Sequence, residues 1–404
     1  MLCATSVFFV ESEESMEKKR WIYLDHAATT PLSPGAFAAM KPYLFAHFAN
    51  SSSSHGAGQE SARGLVFARE ELAQLLSCQP RELVFCSGGT EADNQALWSG
   101  FLQGKKQGRS AIITSSFEHE AILKLLPLLE REGARIHLLS PNAEGQVLPE
   151  ALEKALAEEE RQGGTALVSL MMVNNELGTI QDVAQFGRLA HKYGALMHTD
   201  AVQAVGHLPL SLAQLPVDFL SLSSHKFNGP KGVGALFCRQ GTTPLPLIYG
   251  GGQERGLRSG TVNVPGIAGM VAALREHLEA GESEWAFTRS LRDRLIRGLK
   301  QIPGLRVTGE GADRAPGHVH VSLDHGDHDV ILYRLNEKGI CASAASACQA
   351  GANQASHVLV SMGFSEERLK SALRFSLGPE NTEEEIEATI QAMQEICGKK
   401  GEQE

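Results

Sequence analysis

The stretch SLSSHKFNGPKG, residues 221–232, decides how the chain is read. It continues the apolar run DFLSLS (218–223) and turns through Gly-Pro-Lys-Gly into a second run, VGALFC (233–238). Short apolar runs bounded by turn residues read as buried strands. Lys226 therefore stands just past a strand end, flanked by Ser224 and His225. An amine held there in a partly dry pocket, where its pKa falls, can condense with an aldehyde to a Schiff base. A solvated surface lysine is the ordinary alternative. Lys231 is the weaker candidate, because it lies inside the turn.

Outward from this stretch the pattern repeats. LVFC (83–86), AIIT (111–114), ALVSLMMV (166–173) and ALMHTD (195–200) are further strand candidates. Helix-length amphipathic segments such as HEAILKLLPLLERE (119–132) and VAQFGRLAHKYG (183–194) separate several of them. Apolar strands alternating with helices predict an α/β fold, a mostly parallel sheet covered on both faces. After IYGGGQERGLRSGT (248–261) the texture changes. A long helical stretch covers 264–301, followed by strands at 305–308 and 318–323 and a helix at 328–338. Then come the small-residue run CASAASACQAG (341–351) and a final helix from about 382. The expected organisation is a flexible extension at 1–20, a large cofactor-binding domain at 21–265 and a smaller α+β domain at 266–404. The segment near 21–33 is expected to pack with the smaller domain.

The bulk numbers bound the function. A chain of 404 residues with 42 % hydrophobic and 21 % charged residues can bury a large core. The formal charge of −10, unrelieved by any long Lys/Arg block, argues against nucleic acid as a direct partner. No apolar run is long enough for a membrane span. The start, MLCATSVFFVESEES, lacks a basic n-region and runs into acid, so it reads as an extension rather than a signal peptide, with Met16 an alternative start. Cysteines stand at 3, 78, 86, 238, 341, 348 and 397, an odd count with no CxxC pair. That speaks against a disulfide framework or a zinc ribbon, and the expectation is a cytoplasmic protein with no metal site.

If the aldehyde at Lys226 is pyridoxal phosphate, other residues must meet its demands. HTDAVQAVG (198–206) ends a strand with Asp200 and, three residues on, Gln203. A carboxylate there can keep the pyridine nitrogen protonated, and a neutral donor can reach the phenolic oxygen. A helix N-cap is the competing reading of Asp200. CSGGTEADNQALW (86–98) reads strand, glycine turn, helix, so Gly88, Gly89 and Thr90 offer a phosphate site, or only a tight turn. No GK[ST] follows, which excludes a Walker loop. His119, in TSSFEHEAI, can stack on a flat ring and move protons, or sit at a helix start on the surface. Asn174 and Asn175, in VNNELGTIQD, stand at a strand end. Arg374, in ALRFSLG, lies in a β-like run and needs an anion, either a substrate carboxylate or a structural partner.

The order of these motifs carries more than any one of them. YLDHAATTPL, SGGTEADN, EHEAI, NNELG, DAVQAVG, SSHKFNGPKG, GGGQERGLRSGT, SACQAG and RFSLG together resemble a cysteine desulfurase of the NifS/IscS type. These enzymes form part of the class V aminotransferase branch of fold-type I pyridoxal-phosphate enzymes. The resemblance runs from about Ile22 to the final helix. It implies that Lys226 carries pyridoxal 5′-phosphate, that Asp200 pairs with the ring nitrogen and Gln203 with the phenolic oxygen. It implies that His119 stacks on the ring as an acid/base, while Gly89, Thr90, Ser223 and His225 hold the phosphate. Thr261 would reach the phosphate of a partner subunit, making a homodimer. Asn175 and Arg374 would bind the carboxylate of L-cysteine. Cys348 would take the sulfur as a persulfide, release L-alanine, and pass the sulfur to an acceptor protein for iron–sulfur cluster assembly or for tRNA or cofactor thiolation.

Three departures from the family pattern stand out. Asn50 is followed by SSSSH rather than proline, which implies a looser turn before His55. Ala345 replaces a glycine in the loop of Cys348, narrowing its access to positive φ. The sequence ends some 30 residues after Arg374, where longer members of the family carry a further segment that docks a scaffold protein, so the resemblance does not imply that partner. The small neighbours of Cys348 bury little, which predicts a mobile loop at 345–352, and Cys341 reads as a packing residue at a strand end. A selenocysteine lyase or another class V enzyme shares most of these motifs. A non-catalytic binding protein of the same fold would be expected to have lost some of Lys226, His119, Asp200, Arg374 and Cys348.

Overall fold

The computed structural model describes residues 21–344 and 355–398. The chain runs through β1 (Ile22–Tyr23), α1 (Pro34–Phe45) and α2 (Gly56–Leu76) before strands and helices alternate. There follow β2 (Leu83–Cys86), α3 (Gly89–Lys106), β3 (Ala111–Ser115), α4 (Glu120–Leu123), α5 (Leu126–Arg131) and β4 (Arg135–Leu139). Next come α6 (Pro149–Glu160), β5 (Thr165–Ser169), α7 (Val183–Lys192), β6 (Leu196–Asp200), β7 (Phe219–Ser223) and β8 (Gly234–Cys238). The strands β2 to β8 form one seven-stranded sheet in the order β2-β8-β7-β6-β5-β3-β4.

Alternate residues of these strands face two apolar layers. Val84, Ile112, Leu167, Phe219 and Leu236 pack under α3 to α5, while Phe85, Ile113, Val168, Leu220 and Phe237 meet the core under α2, α6 and α7. Pairings are parallel except those of β8. The link from β7 to β8, residues 224–233, is too short for the crossover a parallel neighbour needs, so β8 returns antiparallel. The other strands all end at one edge of the sheet, at Cys86, Ser115, Leu139, Ser169, Asp200 and Ser223. The carboxyl edge of such a sheet is where ligands bind.

Beyond β8 lie α8 (Val264–Leu299), β9 (Leu305–Val307), β10 (His318–Leu323), α9 (His328–Glu337), β11 (Ile340–Cys341) and β12 (Ser343–Ala344). The described chain ends with α10 (His357–Ser361), α11 (Glu366–Lys370), β13 (Leu373–Ser376) and α12 (Glu383–Cys397). An antiparallel sheet takes the order β12-β13-β10-β9, and β1 pairs in parallel with β11. A separate core joins Leu24, Leu291, Leu295, Val319, Phe375 and Met393. Ile267, Met270 and Leu274, early in α8, belong to the large core, whereas Leu291 to Leu299 belong to the smaller one. Between them Gly281 adopts φ +50° and kinks the helix.

Four local expectations change. The helix expected over 119–132 breaks into α4 and α5, because Pro127 cannot extend a helix and instead opens the next one. The strand expected over 166–173 stops at Ser169. There the Met171 N–H leaves the ladder for the Glu118 carboxylate, at 3.1 and 3.2 Å. The edge strand β4 was not among the candidates; it is mostly half-exposed and carries Arg135 and His137, so it lacks a continuous apolar run. The turn before His55 is closed, not loose: Asn50 accepts from Ser53 N through its carbonyl at 3.0 Å and from Ser52 N through its side chain at 2.9 Å.

Candidate active site

Loops leaving the carboxyl edge of the large sheet converge with β13 on a cavity of about 270 Å³. Gly89, Thr90, His119, Asn175 and Asp200 line it, together with Gln203, Ser223, His225, Lys226 and Arg374. Residues separated by nearly 300 positions in sequence thus share one space. Thr261 is exposed and does not line the cavity of its own chain. Cys348 and the expected mobile loop lie outside the described residues.

Lys226 sits in a single 3-10 turn directly after β7. Its Nζ donates to the carbonyl oxygens of Ala27 and Ala28 at 2.6 and 2.8 Å. Gln203 Nε2 donates to the same Ala27 oxygen at 2.9 Å. The neighbouring His225 meets Thr29 Oγ1 at 3.1 Å through Nδ1. Burial, then the charges of Lys226 and Lys231, push its pKa down to about 4, so it is a neutral imidazole at physiological pH. Lys231 is itself exposed and bounds a shallower opening beside Thr90 and Ser223.

The glycine turn after β2 is set by close packing. A Cβ on Gly89 would lie 2.6 Å from Val202 Cγ2, so only glycine lets the N-terminus of α3 meet the turn after β6. Free N–H groups at that helix start, with Thr90 and Ser223 beside them, make an anion cradle.

Asp200 closes β6 and is 6 % exposed. Its Oδ1 accepts from Val202 N at 2.9 Å in a turn with no regular helix behind it, so the N-cap reading does not hold. Asp93, on α3, lines the same cavity and is 1 % exposed. Burial is the main cause that pushes both carboxyls up to about 7, and for Asp200 the nearby Asp93 adds to it. His198, two residues before Asp200 on the same strand face, bonds Ser169 Oγ at 2.8 Å and Ser221 Oγ at 3.1 Å. Its Nε2 lies 3.5 Å from Asp93 Oδ1. Burial holds His198 near pKa 4, so this contact joins a neutral ring to a carboxyl group and is not an ion pair.

His119 caps α4, its Nδ1 accepting from Ala121 N at 3.1 Å, which leaves its ring edge toward the cavity. The preceding Glu118 is wholly buried and accepts from Ser115 Oγ at 2.5 Å. Burial raises its pKa to about 8. The two asparagines part company. Asn174 ties the loop, bonding Phe117 O, Glu176 N and Leu177 N. Asn175 lines the cavity, and its carbonyl accepts from Arg374 Nη1 at 3.0 Å. Arg374 is 2 % exposed and donates from Nη2 to Asp25 Oδ1 at 2.8 Å. Its Nε has no partner among the described residues.

Sequence reasoning missed Asp25, Asp93, Glu118 and the carbonyls of Ala27 and Ala28. Asp25 and both alanines lie inside YLDHAATTPL, and Asp93 inside SGGTEADN, so the motifs were in view but not these individual roles.

Comparison with known proteins agrees with this geometry. The family model "Aminotransferase class-V" matches residues 22–389. A "Cysteine desulfurase IscS" of Methanosarcina thermophila is 39 % identical over 389 residues, 96 % of this chain and 95 % of that protein. A "Cysteine desulfurase" of Cereibacter sphaeroides is 43 % identical, covering 93 % of this chain and 95 % of its own. Among solved structures, a "NIFS-LIKE PROTEIN" superposes with a TM-score of 0.86 at 36 % identity, covering 94 % of this chain and all of the other. One described as "SspA in complex with cysteine" has a TM-score of 0.78 at 32 % identity, covering 89 % of this chain and 99 % of its own. With its fold and nearly its whole length matched, the chain belongs to the class-V aminotransferase family, in the cysteine desulfurase group of the NifS/IscS type.

Proposed function

We propose that this protein is a pyridoxal 5′-phosphate-dependent cysteine desulfurase, which converts L-cysteine to L-alanine and collects the sulfur as a persulfide on Cys348. The observation that carries the reading is the convergence of Lys226, Asp200 and Arg374 on one cavity sized for a single small ligand. The donor set fits the cofactor. Lys226 offers the amine for the aldehyde, and Asp200 a buried carboxyl for the ring nitrogen. Gln203 offers an amide for the phenolic oxygen, and the α3 N-terminus with Thr90, Ser223 and His225 a cradle for the phosphate. When bound, the cofactor acts as an electron sink for the substrate's α-carbon.

The chain's own residues supply the rest. Arg374 and Asn175 orient the substrate carboxylate, since a charge-assisted guanidinium–carboxylate contact is strong and directional. Lys226 Nζ, or the ring of His119, removes the α-proton and returns it. The Cys348 thiolate then attacks the substrate sulfur. A sulfur–sulfur bond forms, the carbon–sulfur bond breaks, and its electron pair stays with the three-carbon product, which takes up protons and leaves as alanine. The persulfide passes to an acceptor protein serving iron–sulfur assembly or thiolation. Exposed apolar side chains on α1 and α2, Phe45 at 71 % and Phe67 at 65 % among them, support a homodimer in which Thr261 reaches the partner's phosphate site. Free cysteines at 78, 86, 238 and 397 support a reducing, cytoplasmic setting.

The test is alanine formation from L-cysteine by the cofactor-loaded protein. Lys226→Ala is expected to abolish it and to lose the cofactor's visible absorption on desalting. Full turnover by Lys226→Ala would overturn the reading.

A further inference from the structure

Among the described residues Arg374 is the one guanidinium lining the cavity, and it is almost completely buried. A charge so placed needs compensation whether or not a ligand is present. The structure shows what compensates it. Asp25 follows directly on the segment of β1 and Leu24, and it bridges in parallel to Ser376 at the end of β13. That register brings its carboxylate to Arg374, with Oδ1 2.8 Å from Nη2. The Asp25 side chain keeps 21 % of its surface exposed, against 2 % for Arg374. Nη1 is held on the other side by the Asn175 carbonyl at 3.0 Å. Two of the guanidinium's five N–H groups are therefore committed, the plane is fixed, and the buried Nε–H is without a partner among the described residues.

We propose that Asp25 is a positioning residue that sets how tightly Arg374 holds an amino-acid carboxylate, orienting the guanidinium while weakening its grip so that product can leave. This rests on the reading of Arg374 as the carboxylate anchor. Arg374 lines the cavity, so a ligand carboxylate would meet the Nη N–H groups that Asn175 and Asp25 leave over, while Nη2 stays on Asp25. A ligand carboxylate then shares one cation with the Asp25 carboxylate, and the two anions repel across it. At separations of several ångströms in a partly buried site, one such charge changes affinity by on the order of tenfold. Asp25 thus acts oppositely to the usual loss of contact. Removing its charge should tighten carboxylate binding and slow the departure of alanine.

The experiment measures L-alanine dissociation from the holoenzyme by the change it causes in the cofactor's visible spectrum, alongside KM and kcat for L-cysteine. In Asp25→Asn, which keeps an acceptor for Nη2 but not the charge, the alanine Kd and the cysteine KM are expected to fall about tenfold. The kcat is expected to fall as well, because release slows. Asp25→Ser, a second neutral variant, should move Kd in the same direction, and Asp25→Glu should restore the wild-type Kd to within about twofold. Cysteamine, which lacks the carboxylate, should bind wild type and Asp25→Asn alike. An unchanged or weaker alanine Kd in the neutral variants would overturn the proposal. So would misfolding of both neutral variants beside a normally folded Asp25→Glu, which would make Asp25 a stability residue only. Arg374→Ala separates the two readings: a KM that does not rise in Arg374→Ala removes the anchor itself, whereas a large rise with no effect in Asp25→Asn removes only the role of Asp25.

Discussion

Asp200 shows how much one side chain depends on its surroundings. Alone in water its carboxyl would be ionised at any physiological pH. Here burial, and then the Asp93 carboxyl beside it, lift its proton affinity to near neutrality. That makes it a strong acceptor for a proton on a ring nitrogen, which is what an electron-sink cofactor requires. Asp200→Asn keeps an oxygen for Val202 N but cannot hold that proton by charge. Alanine production is expected to fall at least about a hundredfold, with the cofactor still bound and its visible band titrating at lower pH. Spectrophotometric titration of the loaded variant checks this, and a wild-type titration curve with wild-type turnover would exclude the role. The same logic explains why the neutral His225 beside Lys226 suits the cradle: it places a ring, not a further cation, next to the reactive amine.

Elements deliver these side chains through one feature, the ends of the sheet strands. β2, β3, β5, β6 and β7 all stop at the same edge, and each is followed within a few residues by a cavity-lining group. Glu118 stops one of them. By taking the Met171 N–H it ends the pairing of β5 with β3, and beyond that point Met171, Val173 and Asn175 line the cavity. Its pKa is raised to about 8 by burial, so the folded protein binds a proton that the unfolded chain has released above the ordinary glutamate range. That stabilisation is complete at acid pH and is lost as pH rises through about 8. Glu118→Gln, a permanent mimic of the neutral form, is therefore expected to lose less stability than wild type between pH 6 and pH 9, read by thermal melts at the two values. A steeper loss in the variant would contradict the assignment. Most strand positions and ten of the sixteen cavity-lining residues were legible in the sequence, because apolar runs ending in Ser, Asp or Gly and a motif order spread over the chain are both one-dimensional signals. What escaped was three-dimensional. Nothing local in YLDHAATTPL says that Asp25 meets a residue on β13, and Asp93 looks like any polar residue in the first turns of a helix. β4 escaped because an edge strand need not be apolar throughout. The apolar period runs on past Pro127, so it overextends the helix expected at 119–132.

At the scale of the whole molecule, an antiparallel sheet and its helices bring β13 and Arg374 to a cavity otherwise built by the large sheet, and α8 runs through both cores. The apolar faces of α1 and α2 and the link between them remain uncovered in the single chain, with Phe37, Phe45, Phe48 and Phe67 all more than half exposed. A second copy is the proposed cover. Phe67→Glu is expected to shift sedimentation toward the monomer and to weaken cofactor retention, since Thr261 would no longer reach a partner's phosphate site. A dimer of undiminished stability would argue for a different interface. The central claim is that sulfur from cysteine comes to rest on Cys348. The direct measurement is mass spectrometry of the holoenzyme after brief exposure to L-cysteine without an acceptor. The account predicts one extra sulfur atom on the peptide containing Cys348, matched by alanine release, and neither product in Cys348→Ser despite normal cofactor absorbance. Undiminished alanine production by Cys348→Ser, or an extra sulfur found only on another cysteine, would contradict it.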